Sequence, residues 1–184
     1  MARISQRRIQ SFFDIADKAD TRTAKGRGIK GRALEDLVCY LFELLPGIKL
    51  SKRNKLNQFV SEEIDVAFWN SKHSQGLYFL PDVIIVECKN WAVPVGSQEV
   101  SWFYNKLRDR RAFPYGILIA ANGITGSAED KTNAHQIIAS ALREGCQIIV
   151  ITRQEIESLR DTKQLVEVIQ EKLCELAVSG TLFI

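Results

Sequence analysis

Glu87, Cys88 and Lys89 follow directly on the apolar run 83–86. In a strand, residues two apart project from the same face. Glu87 and Lys89 therefore share a side with Val83 and Ile85, and Cys88 points into the opposite layer. Two charges rising from a hydrophobic surface are costly unless they pair or bind something. Asp65 stands 22 positions before Glu87 in the alternating stretch QFVSEEIDVAFW. There Val60, Ile64, Val66 and Phe68 occupy one parity, and Glu63 and Asp65 the other. A hairpin through the polar turn NSKHSQG puts Asp65 opposite roughly residue 84 to 88, so that it faces Glu87 at about 5 Å. Like charges so placed repel and call for a cation, and hard oxygen ligands favour Mg²⁺ or Mn²⁺ over zinc. Lys89 would orient or activate a water and stabilise charge on a phosphate. Glu63 shares the face of Asp65 and stays open as the alternative ligand.

Those side chains need elements to hold them. The apolar run 83–86 is expected of a strand covered on both faces, within a strand over 78–90. The alternation over 58–69 predicts its antiparallel partner. Ahead of them, Leu34, Leu37, Val38, Leu41, Phe42 and Leu45 recur at spacings of three and four, predicting a helix over 30–45 that Pro46-Gly47 stops. Residues 5–19 also read as a helix. TRTAKGRGIKG, with its three glycines, reads as a mobile loop. IKLSKR is a weak strand. Downstream, helices are expected over 97–111 and 127–144, strands over 115–121 and 147–152, and two closing helices near 153–159 and 161–178. A long hairpin followed by a β-α-β-α-β run implies an α/β sandwich with a mixed sheet.

An Asp, then 21 residues, then Glu-Cys-Lys at the end of a hairpin resembles the PD-(D/E)xK nuclease superfamily, with the closest likeness to Mrr-like restriction endonucleases and Holliday-junction resolvase relatives. GRALEDLVCYLFELLPG resembles the family's leading helix, and ILIAANGITGSAED with GCQIIVITRQEIESL its second half; the likeness spans about residues 28–160. It implies a restriction-endonuclease-like mixed sheet flanked by helices, preceded by a basic N-terminal helix and loop over 1–27, with the nuclease domain over 28–184. By this likeness Asp65 and Glu87 are metal ligands, the Cys88 carbonyl completes the inner sphere, Lys89 positions the attacking water, and Glu35 holds a metal-bound water or second ion. The reaction implied is Mg²⁺- or Mn²⁺-dependent hydrolysis of phosphodiester bonds in DNA. Pro81-Asp82 spells the family name but lies on the opposite strand face from Glu87 and reads as a decoy.

The charge distribution fits a polyanionic partner. Nine basic side chains stand against three acidic ones in residues 1–32, whereas the whole chain nets only +3. Lys25, Arg27, Lys30 and Arg32 are the candidate DNA contacts in that stretch, with Asn90, Trp91 and Gln98 beside the motif. Trp91 either stacks on a base or packs, and Glu99 competes with Gln98. Further basic clusters are Lys106, Arg108, Arg110 and Arg111, and Lys49, Lys52, Arg53 and Lys55. His73 and His135 are isolated and receive no role. The four cysteines contain no CxxC pair and read as buried small apolar residues. No uncharged apolar window of membrane length occurs, and the opening residues carry no apolar leader, so the cytoplasm is the expected compartment. No organic cofactor is implied. Duplex cutting needs two sites, so a homodimer is expected. A non-catalytic DNA-binding module, or a subunit of a larger complex, remains the competing class.

Overall fold

The computed structural model describes residues 2–56, 63–110, 114–129 and 132–182. It has a five-stranded mixed sheet in the order β1-β2-β3-β4-β5, with helices on both faces. The elements run α1 (Gln6–Asp17), α2 (Ala24–Glu43), β1 (Ile48–Leu56), β2 (Glu63–Asn70), β3 (Val83–Lys89), α3 (Ser97–Arg108), β4 (Tyr115–Ala120), α4 (Asn133–Arg143), β5 (Gln147–Ile151), α5 (Arg153–Ser158) and α6 (Thr162–Ser179). β1, β2 and β3 form an antiparallel meander, and β3, β4 and β5 run parallel. The expected α/β class and its mixed sheet are therefore present. The part of the alternating stretch at 57–62 lies outside the described residues.

Hydrophobic alternation decides which helix covers which face. Phe68 pairs with Ile84, and Val66 with Val86. These residues are almost fully buried, and Phe68 stacks on Phe42 of α2 at 5.0 Å. That face, which also carries Cys88, is the α2 face. Ile85 stands on the other side, opposite Gly116 of β4. A Cβ on Gly116 would lie 2.5 Å from Phe103 and 2.7 Å from Leu107, so the glycine lets α3 lie flat on this second face. β4 is buried along its whole length, as a central parallel strand must be.

Three expectations about the elements are corrected. The glycine-rich stretch 21–31 is not a loop: α2 begins at Ala24, with Thr23 as its N-cap accepting from Gly26 N at 3.0 Å. Each helical glycine costs about 1 kcal/mol relative to alanine, but Gly26 is required by packing. A Cβ there would meet the Asp20 carbonyl oxygen at 1.9 Å. β3 begins only at Val83 because 77–80 make a turn, which Asn70 organises by donating to the carbonyls of Leu77 and Pro81. α4 begins at Asn133 rather than 127, because Gly126, at φ +105°, folds the preceding loop back against Thr132. The basic start of the chain is also docked. Ile9 and Phe13 of α1 are buried, Ile4 N donates to Arg160 O, and Thr162 N donates to Ala2 O. Of the four cysteines, Cys39 and Cys146 are buried, Cys88 is half-buried and Cys174 is exposed on α6, so not all four are core residues.

Candidate active site

The last ladder pair between β2 and β3 is Val66 with Val86. The next step of an antiparallel register sets Asp65 opposite Glu87, on the α3 face. Beyond that point β2 and β3 diverge, and the Asp65 carboxylate takes the place of a strand partner. Its Oδ2 accepts from Cys88 N at 2.7 Å. Lys89 O, by contrast, accepts from Ala121 N, so Glu87 and Lys89 turn their backbone groups to β4 while Cys88 turns its own to β2. The Cys88 carbonyl therefore opens on the same edge as Asp65.

Glu87 is 3% exposed. Its Oε1 accepts from Lys89 Nζ at 2.8 Å and from Lys106 Nζ at 2.9 Å, and its Oε2 accepts from Lys106 Nζ at 2.8 Å. Burial, and next the charge of Glu87, push the Asp65 carboxyl up to about 6; the Cys88 N–H, Lys89 and Lys106 pull it back. Burial works against the Lys89 charge, but Glu87 outweighs it, so the ammonium stays above its ordinary range. Burial and the surrounding carboxylates push the Cys88 thiol well up, which keeps it protonated, and its side chain faces α2. Any contribution of Cys88 toward a cation is thus its carbonyl, not its sulfur.

Glu35 is placed differently. Its Oε2 accepts from Arg53 Nε at 2.8 Å and Asn54 Nδ2 at 3.1 Å, and Arg53 also bonds Asp36 at 2.6 Å. Arg53 pairs with Val66 across β1 and β2, so this network lies on the α2 face. The resemblance groups Glu35 with Asp65 and Glu87; Glu35 rises from α2, on the other face of the sheet, and all three carboxylates act on the Cys88 thiol. Asp36, expected to point elsewhere, shares the same arginine. Glu63 is exposed at the start of β2, which leaves Asp65 as the carboxylate beside Glu87. Asp82 is exposed and lies 3.5 Å from Lys72, away from the cluster.

The remaining candidates divide. Arg27, Lys30 and Gly31 of α2, with Thr21, meet Cys88, Lys89, Asn90, Trp91 and Ala92 around a cavity of about 310 Å³. Asn90 is buried and ties the two walls together by donating to Lys30 O at 3.2 Å. Trp91 is 40% exposed at the rim. Lys25 and Arg32 are exposed elsewhere on α2, and Gln98 is exposed in the first turn of α3. The residue that α3 sends to Glu87 is instead Lys106, about 12 Å further along the helix axis than Gln98. The sequence signal for Lys106 was weak: it sits in a basic run whose other members look solvated. Arg108 indeed stays at the surface beside Asp109, and Arg111 lies outside the described residues. A separate cleft of about 790 Å³ lies beyond the ends of β4 and β5 among Asn122, Gly123, Ser127, Thr152 and Arg153, and holds none of the expected residues.

A family model for restriction endonucleases, Mrr_cat, matches residues 27–159. The chain belongs to that family. The match takes in α2 through α5 and every residue of the cluster just described; α1 and α6 lie outside it. No curated protein and no solved structure gives a match. Among the described residues no helix is long and apolar enough to cross a membrane.

Nucleases of this superfamily typically use a divalent cation. Among the described residues no three acidic, histidine or cysteine side chains cluster for a cation. The available oxygens are the Asp65 and Glu87 carboxylates and the Cys88 carbonyl, all hard donors at one strand edge. They suit a hard divalent cation with waters completing the shell, and the charge of Glu87 adds to burial, the larger cause, in raising the Asp65 carboxyl.

Proposed function

We propose that this member of the family is a divalent-metal-dependent endonuclease that hydrolyses phosphodiester bonds in DNA. The observation that carries the reading is Asp65 beside Glu87 at the end of β3, with Asp65 accepting from Cys88 N and Lys89 bonded to Glu87, while Cys88 and Lys89 line a cavity walled by Arg27 and Lys30. Asp65, Glu87 and the Cys88 carbonyl would hold Mg²⁺ or Mn²⁺. When bound, the cation would polarise the phosphate and lower the pKa of an attacking water. Lys89 would orient that water and offset charge on the phosphate. Arg27 and Lys30 would fix the DNA backbone, as such side chains do without reading sequence. Trp91 would offer a stacking surface. Glu35 would act at one remove, holding Arg53 and the second half of the edge strand. Cutting both strands of a duplex calls for a second copy of the chain.

The test is cleavage of supercoiled plasmid in Mg²⁺ or Mn²⁺ by the wild-type protein, Asp65→Ala and Lys89→Ala. Nicking or linearisation by wild type alone, abolished by EDTA, is the expected result. Binding without cleavage of plasmid, junction or single-stranded DNA would replace this reading with a DNA-binding module.

A further inference from the structure

We propose that Lys106 is a positioning residue that serves as the counter-ion of Glu87 in the metal-free protein and is exchanged for the divalent cation. The inference rests on the metal-dependent reading above and deepens it.

The geometry at Glu87 is specific. A carboxylate offers about four lone-pair sites over its two oxygens. Lys89 and Lys106 together fill those of Oε1, and Lys106 takes one of Oε2. Lys106 Nζ lies 2.9 and 2.8 Å from the two oxygens, in the fork between them, which is the seat of a bidentate cation. Lys89 grows from the same strand two residues on and reaches Oε1 alone. Only Lys106 therefore competes for the fork. Its side chain is 15% exposed and that of Glu87 5%, so water screens the contact poorly.

Charge explains why a second lysine is placed there. Asp65 and Glu87 would repel one another without a cation, and a buried unpaired carboxylate is costly. Two ammonium groups opposite two carboxylates leave the centre neutral before any metal enters. A divalent cation that displaces Lys106 from the fork still lies near both ammonium groups and makes the centre positive, and the negative charge that grows on an attacked phosphate would bring it back toward neutrality. Lys106 thus holds the metal-free protein together and weakens resting metal affinity. Gly116 is the structural permission for this, because its missing side chain brings α3 close enough for Lys106 to reach β3.

The experiment is calorimetric titration of Mn²⁺ alone, without DNA, into wild type, Lys106→Met and Lys106→Gln, with thermal unfolding of each in EDTA and in Mn²⁺. The expected result is Mn²⁺ binding about tenfold tighter in both variants, from removal of one positive charge beside the cation. Both variants should unfold at lower temperature in EDTA and recover in Mn²⁺. Lys106→Gln keeps a hydrogen-bond donor without the charge, so it tests the exchange even if Lys106→Met folds poorly. If wild type binds Mn²⁺ and the variants bind it equally or more weakly, Lys106 is a structural ion pair and the proposal fails alone. If none of the three binds Mn²⁺, the metal-dependent reading fails and takes the proposal with it.

Discussion

Glu35 and Glu87 sit on opposite faces of one sheet, and each accepts a hydrogen bond of 2.8 Å from a basic side chain. Their surroundings differ. Glu87 ends a central strand, is nearly inaccessible, and faces a second carboxylate across the ladder. Glu35 lies on a helix beside the edge strand β1 and shares the partly exposed Arg53 with Asp36. A buried carboxylate with a second acid opposite has a reason to hold a cation. One already matched by arginine has a reason to hold two elements together. The same residue type at the same bonding distance therefore does different work, and the pattern of neighbours is what separates the two.

The largest separation is expected from alanine at each position. Glu87→Ala strands two poorly solvated lysines, and should lower unfolding free energy in EDTA by about 3 kcal/mol. It should also reduce metal-dependent cleavage to background. Glu35→Ala should cost about 1 kcal/mol and leave cleavage within roughly tenfold of wild type. Urea unfolding and plasmid nicking measure both; equal loss of activity from the two would break the comparison. Next in size is Gly116→Ala, which forces Phe103 and Leu107 off β4 and should cost about 1–3 kcal/mol. It should also tighten Mn²⁺ binding as Lys106 is drawn away from Glu87, an effect with no counterpart at Glu35.

Acidity sharpens the contrast further. The folded-state carboxyl of Asp65 is raised to about 6 from an ordinary 3.8. The folded protein thus holds that proton more tightly than the unfolded chain. The group is neutral to stability below the lower value, and becomes a growing penalty as pH rises through the window between the two. Asp65→Asn should accordingly raise the unfolding temperature in EDTA more at pH 7.5 than at pH 4. Mn²⁺ binding by wild type at sub-saturating metal should weaken as pH drops through about 6, since a proton then competes with the cation for the Asp65 carboxylate. The smallest effect is expected for Arg53→Met, under about 1 kcal/mol in stability and little in cleavage at moderate salt.

Much of this centre was legible in the chain. Alternation over 63–70 and the apolar run before Glu87 fixed the faces of both strands. The spacing of Asp65 and Glu87 fixed their register to within two or three residues, and the structure sets them opposite one another. The start of α2 was not legible, because three glycines signal a loop and only the contact of Gly26 with the Asp20 carbonyl shows why one of them is helical. Lys106 was hidden for a different reason. Helical periodicity puts it at the margin of the buried face of α3, and which way a long side chain turns depends on what lies across the gap. The partners of Glu35, Arg53 and Asn54, were not legible, because they come from an edge strand that reads only weakly in the sequence.

The sequence by itself determined the order of elements, the family and the two carboxylates with Lys89, since these follow from local periodicity and from residues on adjacent strands. Tertiary structure alone decided which helix covers which face, and so which distant charges meet. A lysine 19 positions from Glu87 along the chain bonds both of its oxygens, and Glu35 pairs with an edge-strand arginine instead. Strand pairing is written in short-range alternation. The meeting of side chains from separate layers depends on packing, and packing depends on every element at once.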